Sequence, residues 1–116
     1  MPLLRIVTSA RPSETVQRSL LHDVSALLAE RLGKPESYVM TSLVPDIAMT
    51  FAGTTEPACF VELKNIGSFT PKQTRTLSSD LCQRLAVALD VPAARIYIEF
   101  TNAQGHLWGH DGETFA

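Results

Sequence analysis

Two cysteines in 116 residues leave no basis for a covalently stapled fold. Cys59 and Cys82 are too few and too far apart for a disulfide framework or a CxxC redox pair. Neither lies in an electropositive stretch that would draw out a thiolate, so both read as small buried hydrophobes. An excess of one charge is also missing. Ten Lys and Arg against twelve Asp and Glu give a net charge of -2, with no basic run to follow a phosphate backbone, so nucleic acid is not an expected partner. No apolar run reaches the length of a bilayer span. The start MPLLRIV lacks a positive segment followed by a long apolar one, so the expectation is a soluble, cytoplasmic protein, compatible with non-classical secretion and with no membrane partner.

What is present fits one domain over residues 1–116, short enough to leave apolar surface exposed unless subunits associate. MPLLRIVTSA opens as a strand, with Pro2 at the one position where a strand tolerates a residue lacking a backbone donor. In TVQRSLLHDVSALLAERLGK, residues Val16, Leu20, Val24, Leu27, Leu28 and Leu32 recur at helical spacing, and Gly33 before Lys34-Pro35 supplies the stop. The run YVMTSLV then returns to strand. The second half repeats this order. ACFVELKNI alternates as a strand, and Thr70, Pro71 and Gln73 form a capping box with proline at the first helical position. Leu77, Leu81 and Leu85 make that helix's buried stripe, Asp90-Val91-Pro92 ends it, and ARIYIEF closes the unit.

The expected fold is therefore α/β (α+β): a duplicated β-α-β unit giving a four-stranded mixed sheet with two helices on one face. Pairing within each unit is parallel because a helical crossover joins its strands. If the first and third strands are also read as parallel neighbours, Pro2 at the start of one lies far from Asn65-Ile66-Gly67 at the end of the other. Tyr97, Glu99 and Thr101 alternate with Ile96, Ile98 and Phe100, so the uncovered face is partly polar, as expected if sheets from several subunits surround a shared axis.

A second residue as small as proline usually allows the initiator methionine to be trimmed. That would leave Pro2 as a rigid secondary amine suited to act as a base. On the residues alone Pro2 is equally a strand starter, Lys34 a partner for a helix C-terminus, Tyr38 and Tyr97 amphipathic rim residues, and Ile66 core. In the tail GHLWGHDGETFA, His106, His110 and Asp111 are types that zinc accepts. Gly105, Gly109 and Gly112 argue against the helix that would put both histidines on one face, so these read as exposed loop histidines with no metal site.

Met1-Pro2, Gly33-Lys34-Pro35 with Tyr38, Val44-Pro45-Asp46, Glu56-Pro57, Ile66-Gly67, Tyr97-Ile98 and the ending Thr114-Phe115-Ala116, in that order and spacing, resemble the macrophage migration inhibitory factor homologues of the tautomerase superfamily. The resemblance spans the whole chain. It implies a tautomerase/MIF-like fold and a homotrimer with three sites at subunit interfaces. The implied activity is keto-enol tautomerisation of small aromatic α-keto acids of the phenylpyruvate type, without a cofactor. Carried over by position, Pro2 is the general acid/base, Lys34 the cation, Ile66 a backbone donor and Tyr97 a phenol from the neighbouring subunit. Tyr38 and Phe115 line the pocket, with Trp108 as an added stacking surface.

The chain departs from the mammalian pattern at Asn65, where they carry serine, and at Glu99, where they carry asparagine. Counted back from the shared ending, His110 stands at their tryptophan and Trp108 at their valine, so the resemblance implies a pocket whose far wall is rebuilt by Glu99, Trp108 and His110. Their CxxC pair is absent, so no thiol-oxidoreductase activity is implied. The alternative class is a trimeric binding or cytokine-like signalling protein with vestigial pocket chemistry.

Overall fold

The computed structural model describes residues 1–116. Six strands and two long helices follow one another as β1 (Leu3–Thr8), α1 (Glu14–Leu32), β2 (Met40–Val44), β3 (Cys59–Ile66), α2 (Pro71–Leu89), β4 (Ile96–Ala103), β5 (Gly109–His110) and β6 (Glu113–Thr114). Both helices start and stop where local chemistry dictates. Ser13 caps α1 by accepting from the Val16 N–H, and Gly33, at φ 62°, ends it in the left-handed conformation that only a residue without Cβ takes freely. For α2 the Thr70–Gln73 capping box is formed in both directions, with Pro71 at the first turn. Asp90 ends this helix in the left-handed conformation. No helix is long and apolar enough to cross a membrane.

The main sheet has the order β2-β1-β3-β4. β1 pairs parallel with β2 and β3 with β4, as each helical crossover requires. The two units meet differently from the parallel neighbours read from the sequence: β1 and β3 are antiparallel, from Leu3 opposite Lys64 to Thr8 opposite Cys59. The cause is the link. β2 ends at Val44, at the same end of the sheet as Thr8, and residues 45–58 contain no helix to carry the chain back across a face. β3 must therefore start beside Thr8 and run the other way. The helices follow the same antiparallel relation, and two outer ion pairs, Arg31 with Asp80 and Arg84 with Asp23, bridge them.

Both helices pack on one face of the sheet. Leu4 and Ile6 of β1, Cys59, Val61 and Leu63 of β3, and Ile96 of β4 meet Leu20, Val24, Leu27 and Leu28 of α1 and Leu77, Leu81, Leu85 and Leu89 of α2 in one core. Cys59 is buried, and its thiol is pushed up to about 12, first by burial and then by Cys82 nearby. Cys82 is raised mainly by burial, so neither thiol is set up to react. The other face is open. Register sets Arg5, Glu62 and Glu99 in a row across it, and Arg5 pairs with Glu62 at 3.6 Å.

The tail does more than the sequence reading allowed. A turn at Gly105–Leu107 leads into the hairpin β5–β6, whose corner Asp111-Gly112 has positive φ at both residues, as a type I′ turn needs. The Phe115 N–H then donates to the carbonyls of Gly105 and Trp108, folding the chain end back on itself. Gly105 has to be glycine because a Cβ would overlap the Phe115 carbonyl.

Candidate active site

The antiparallel register decides what meets. Continued by one residue it sets Pro2 across from Asn65, and by two Met1 across from Ile66. The beginning of β1 and the end of β3 are thus neighbours. Pro2 is fully buried, and its carbonyl accepts the Met40 N–H at 3.0 Å, which ties it to β2.

Lys34 enters from the corner after α1. The left-handed turn at Gly33 and the Lys34 N–H donating to the Ala29 carbonyl turn the chain off the helix axis. Lys34 is half-buried, and its Nζ donates to the Ile66 carbonyl at 3.4 Å. The chain's terminal amine, carried by Met1, has its pKa lowered first by burial and second by the Lys34 charge. Both effects disfavour an ammonium at this point.

A cavity of 380 Å³ opens here, with Met1, Pro2 and Leu3 on one side, Tyr38, Val39 and Met40 on another, and Trp108, His110 and Phe115 from the tail. Its aromatic wall is built from residues more than 70 positions apart. The Tyr38 ring meets His110 edge-on at 5.8 Å and Phe115 at 6.0 Å, while His110 stacks on Phe115 at 5.6 Å and 21°. Such a wall accepts a flat ring. His110, which the residues alone give as exposed and the resemblance puts in the far wall, is both exposed and part of it. The local signal behind it is Asp111-Gly112, the hairpin turn that folds His110 onto Phe115. Met40 was missed as well, because its alternation along β2 carries no sign of a cavity. No group of three or more His, Cys, Asp or Glu side chains forms a metal cluster.

Tyr97 and Glu99 lie elsewhere. Tyr97 is directly opposite Phe60, toward the end of the sheet away from Pro2, and Glu99 is opposite Glu62, in mid-strand on the open face. Six residues of strand, about 20 Å, separate Phe60 from Ile66. Tyr97 borders a second hollow of 570 Å³ with Phe51, Ala58, Cys59 and Phe60, at the start of β3 as the first lies at the start of β1. Its ring packs on Phe51 at 4.8 Å. Phe51 in turn is held under the Arg95 guanidinium, which donates to the Pro57 and Glu56 carbonyls at 2.8 Å each. Asn65 is 4% exposed and is not among the residues lining the first cavity.

A family model described as macrophage migration inhibitory factor (MIF) matches residues 1–116. The chain belongs to the MIF family. It is 37% identical to macrophage migration inhibitory factor of Meriones unguiculatus over 116 residues, all of both chains. It is 36% identical to the homologue of Trichuris trichiura over 99% of this chain and 100% of that one. Among solved structures, the macrophage migration inhibitory factor homologue of Prochlorococcus marinus superposes with a TM-score of 0.94 at 45% identity, covering 98% of this chain and 99% of its own. The Trichinella spiralis factor superposes with a TM-score of 0.89 at 34% identity, covering 97% and 99%. The two helices on a four-stranded mixed sheet are thus a MIF-like fold of the tautomerase superfamily, and membership supports an isomerase-type activity. In this MIF-family chain Pro2, Lys34, Ile66, Tyr38, Trp108 and Phe115 gather at one end of the sheet, while Tyr97 and Glu99 do not join them within one protomer.

Proposed function

We propose that the protein is a keto-enol tautomerase for small aromatic α-keto acids of the phenylpyruvate type, working after removal of Met1 with the Pro2 amine as general acid/base. The observation that carries this reading is a fully buried proline lining an aromatic-walled cavity, across the sheet from the end of β3, where a half-buried lysine reaches the Ile66 carbonyl. The substrate's carboxylate faces Lys34 and its ring lies against Tyr38, His110 and Phe115. The neutral amine takes a proton from the carbon next to the carbonyl, and the electron pair moves to the carbonyl oxygen. Lys34, and a backbone N–H at Ile66, stabilise that charge as it develops. The enol oxygen receives a proton in return, so nothing is oxidised or reduced and no cofactor enters.

Tyr97 takes part in this scheme from a second copy of the chain, about 20 Å being too far to reach within one protomer. Only 19 of 116 residues are buried, and Tyr97 and Met40 are 65% and 64% exposed, which favours a homotrimer with sites at the interfaces. A retained Met1 makes the Pro2 nitrogen a tertiary amide, which carries no proton and no basic lone pair. Steady-state turnover of phenylenolpyruvate by the processed protein tests the reading. Pro2→Ala should cost roughly two to four orders of magnitude with the fold intact, the usual scale for a displaced general base. Full activity in a sample that mass spectrometry shows to retain Met1 would reject it.

A second reading is favoured by the relatives, which are named macrophage migration inhibitory factor: a binding or signalling protein whose cavity turns over slowly. Undetectable turnover in a processed, folded trimer would select it.

A further inference from the structure

Asn65 is the one polar side chain in the helix-facing row of β3, after Cys59, Val61 and Leu63. Its Oδ1 is the only buried side-chain nitrogen or oxygen atom in the chain without a hydrogen-bond partner. A folded protein rarely leaves a buried acceptor empty, because the group has given up water and gained nothing. Pro2 lies opposite Asn65 and is equally buried, yet as a tertiary amide its nitrogen has no hydrogen to give. Removal of Met1 changes that. The nitrogen becomes a secondary amine with N–H groups, across from a side chain whose Cβ stands about 4.5–5.5 Å from its partner's in a directly opposed antiparallel pair.

We propose that Asn65 is the positioning residue of the Pro2 amine: its side-chain oxygen accepts one N–H and so directs the other position, whether proton or lone pair, into the cavity. This rests on the reading of Pro2 as the base. The other titratable groups around the amine are Lys34 from the corner after α1, whose charge acts on the chain's terminal amine, and Tyr38 and His110, which line the same cavity as Pro2, while Glu36 in the turn before β2 accepts from the Ser25 hydroxyl of α1. Lys64 stands beside Asn65 on β3 but on the open face. None of them bonds to Asn65 Oδ1, and Lys34 is directed to the Ile66 carbonyl. The contact holds the amine's orientation in both protonation states, since neutral and charged forms each keep an N–H for the oxygen. A neutral amide does this without the full charge that would pin the amine as ammonium. It offsets part of what burial and Lys34 do in the opposite direction.

The test uses the processed full-length protein labelled with 13C-proline, in which the Pro2 signals are those of seven prolines that vanish in Pro2→Ala. Their titration is read directly, beside the pH profile of kcat/KM. Asn65→Leu, close in volume and without an acceptor, should move the Pro2 midpoint down by about one pH unit and lower kcat roughly tenfold. Asn65→Asp should move the midpoint up. Circular dichroism checks the fold of both. A packing role alone would not shift the two midpoints in opposite directions. An unmoved midpoint in both variants, with Pro2→Ala inactive, overturns the contact and leaves Pro2 as the base. Full activity in Pro2→Ala overturns the reading of Pro2 and any catalytic consequence of Asn65 with it.

Discussion

Replacing Lys34 with methionine separates two jobs given to one cation. Methionine keeps most of the stem's apolar contact and removes only the charge. The lost hydrogen bond to the Ile66 carbonyl is long, 3.4 Å, so the melting temperature should move little. A charge-assisted hydrogen bond from a half-buried lysine to a substrate carboxylate contributes about 1.5–3 kcal/mol, or roughly ten- to a hundred-fold in KM. The second effect has a definite sign. In the chain that keeps Met1, burial first and the Lys34 charge second lower the pKa of the Met1 amine; the same cation disfavours the charged form of the Pro2 amine that processing exposes, so its removal should raise that pKa. Activity needs the neutral amine, so the midpoint of the rate–pH profile should move to higher pH and leave a smaller active fraction at neutrality. The assay is steady-state turnover of phenylenolpyruvate across pH on processed protein, fitted separately for kcat and KM. A KM within twofold of the parent together with an unmoved midpoint would refute both the carboxylate contact and the electrostatic account of the amine.

Glu99→Asn should lower KM for an aromatic α-keto acid if a neighbouring copy presents this carboxylate to an anionic substrate, and an unchanged or higher constant would reject that electrostatic argument. Sedimentation equilibrium at micromolar concentration should return three times the chain mass, whereas a monomer would remove Tyr97 from the site. Gly105→Ala should destabilise the protein by about 1–3 kcal/mol in chemical denaturation and raise KM for aromatic substrates, because the added Cβ displaces the Phe115 backbone and with it the cavity wall.

What could be read along the chain was whatever neighbouring residues determine. The Thr70–Gln73 capping box, the stop at Gly33 and the alternation from Cys59 to Ile66 are local, and each stands in the structure where the sequence put it. The relation between the two units is not local. Alternation tells which face a side chain takes but carries no sign of strand direction, so the antiparallel meeting of β1 and β3 depended on residues 45–58, a link whose path no periodicity encodes. That one orientation determines whether Pro2 and Ile66 are at opposite ends of the sheet or together. The aromatic wall was half legible. Resemblance implies Tyr38, Phe115 and His110 in the wall, but the residues alone do not show how they meet: His110 joins the other two because a six-residue hairpin turns at Asp111-Gly112.

The two hollows at the starts of β1 and β3 are products of one duplicated design, yet they are not chemically equivalent, and the difference lies in where a polypeptide ends. A chain has a single amino terminus. In the first unit the residue entering the strand can become a free amine; in the second, Ala58 is held between two peptide bonds and cannot. Duplication therefore copies the container without copying the base. The second hollow, with Phe51 braced by Arg95, is left to present a tyrosine outward. An assembly of such chains would have as many reactive centres as it has beginnings, and the number of sites would count molecules, not folds.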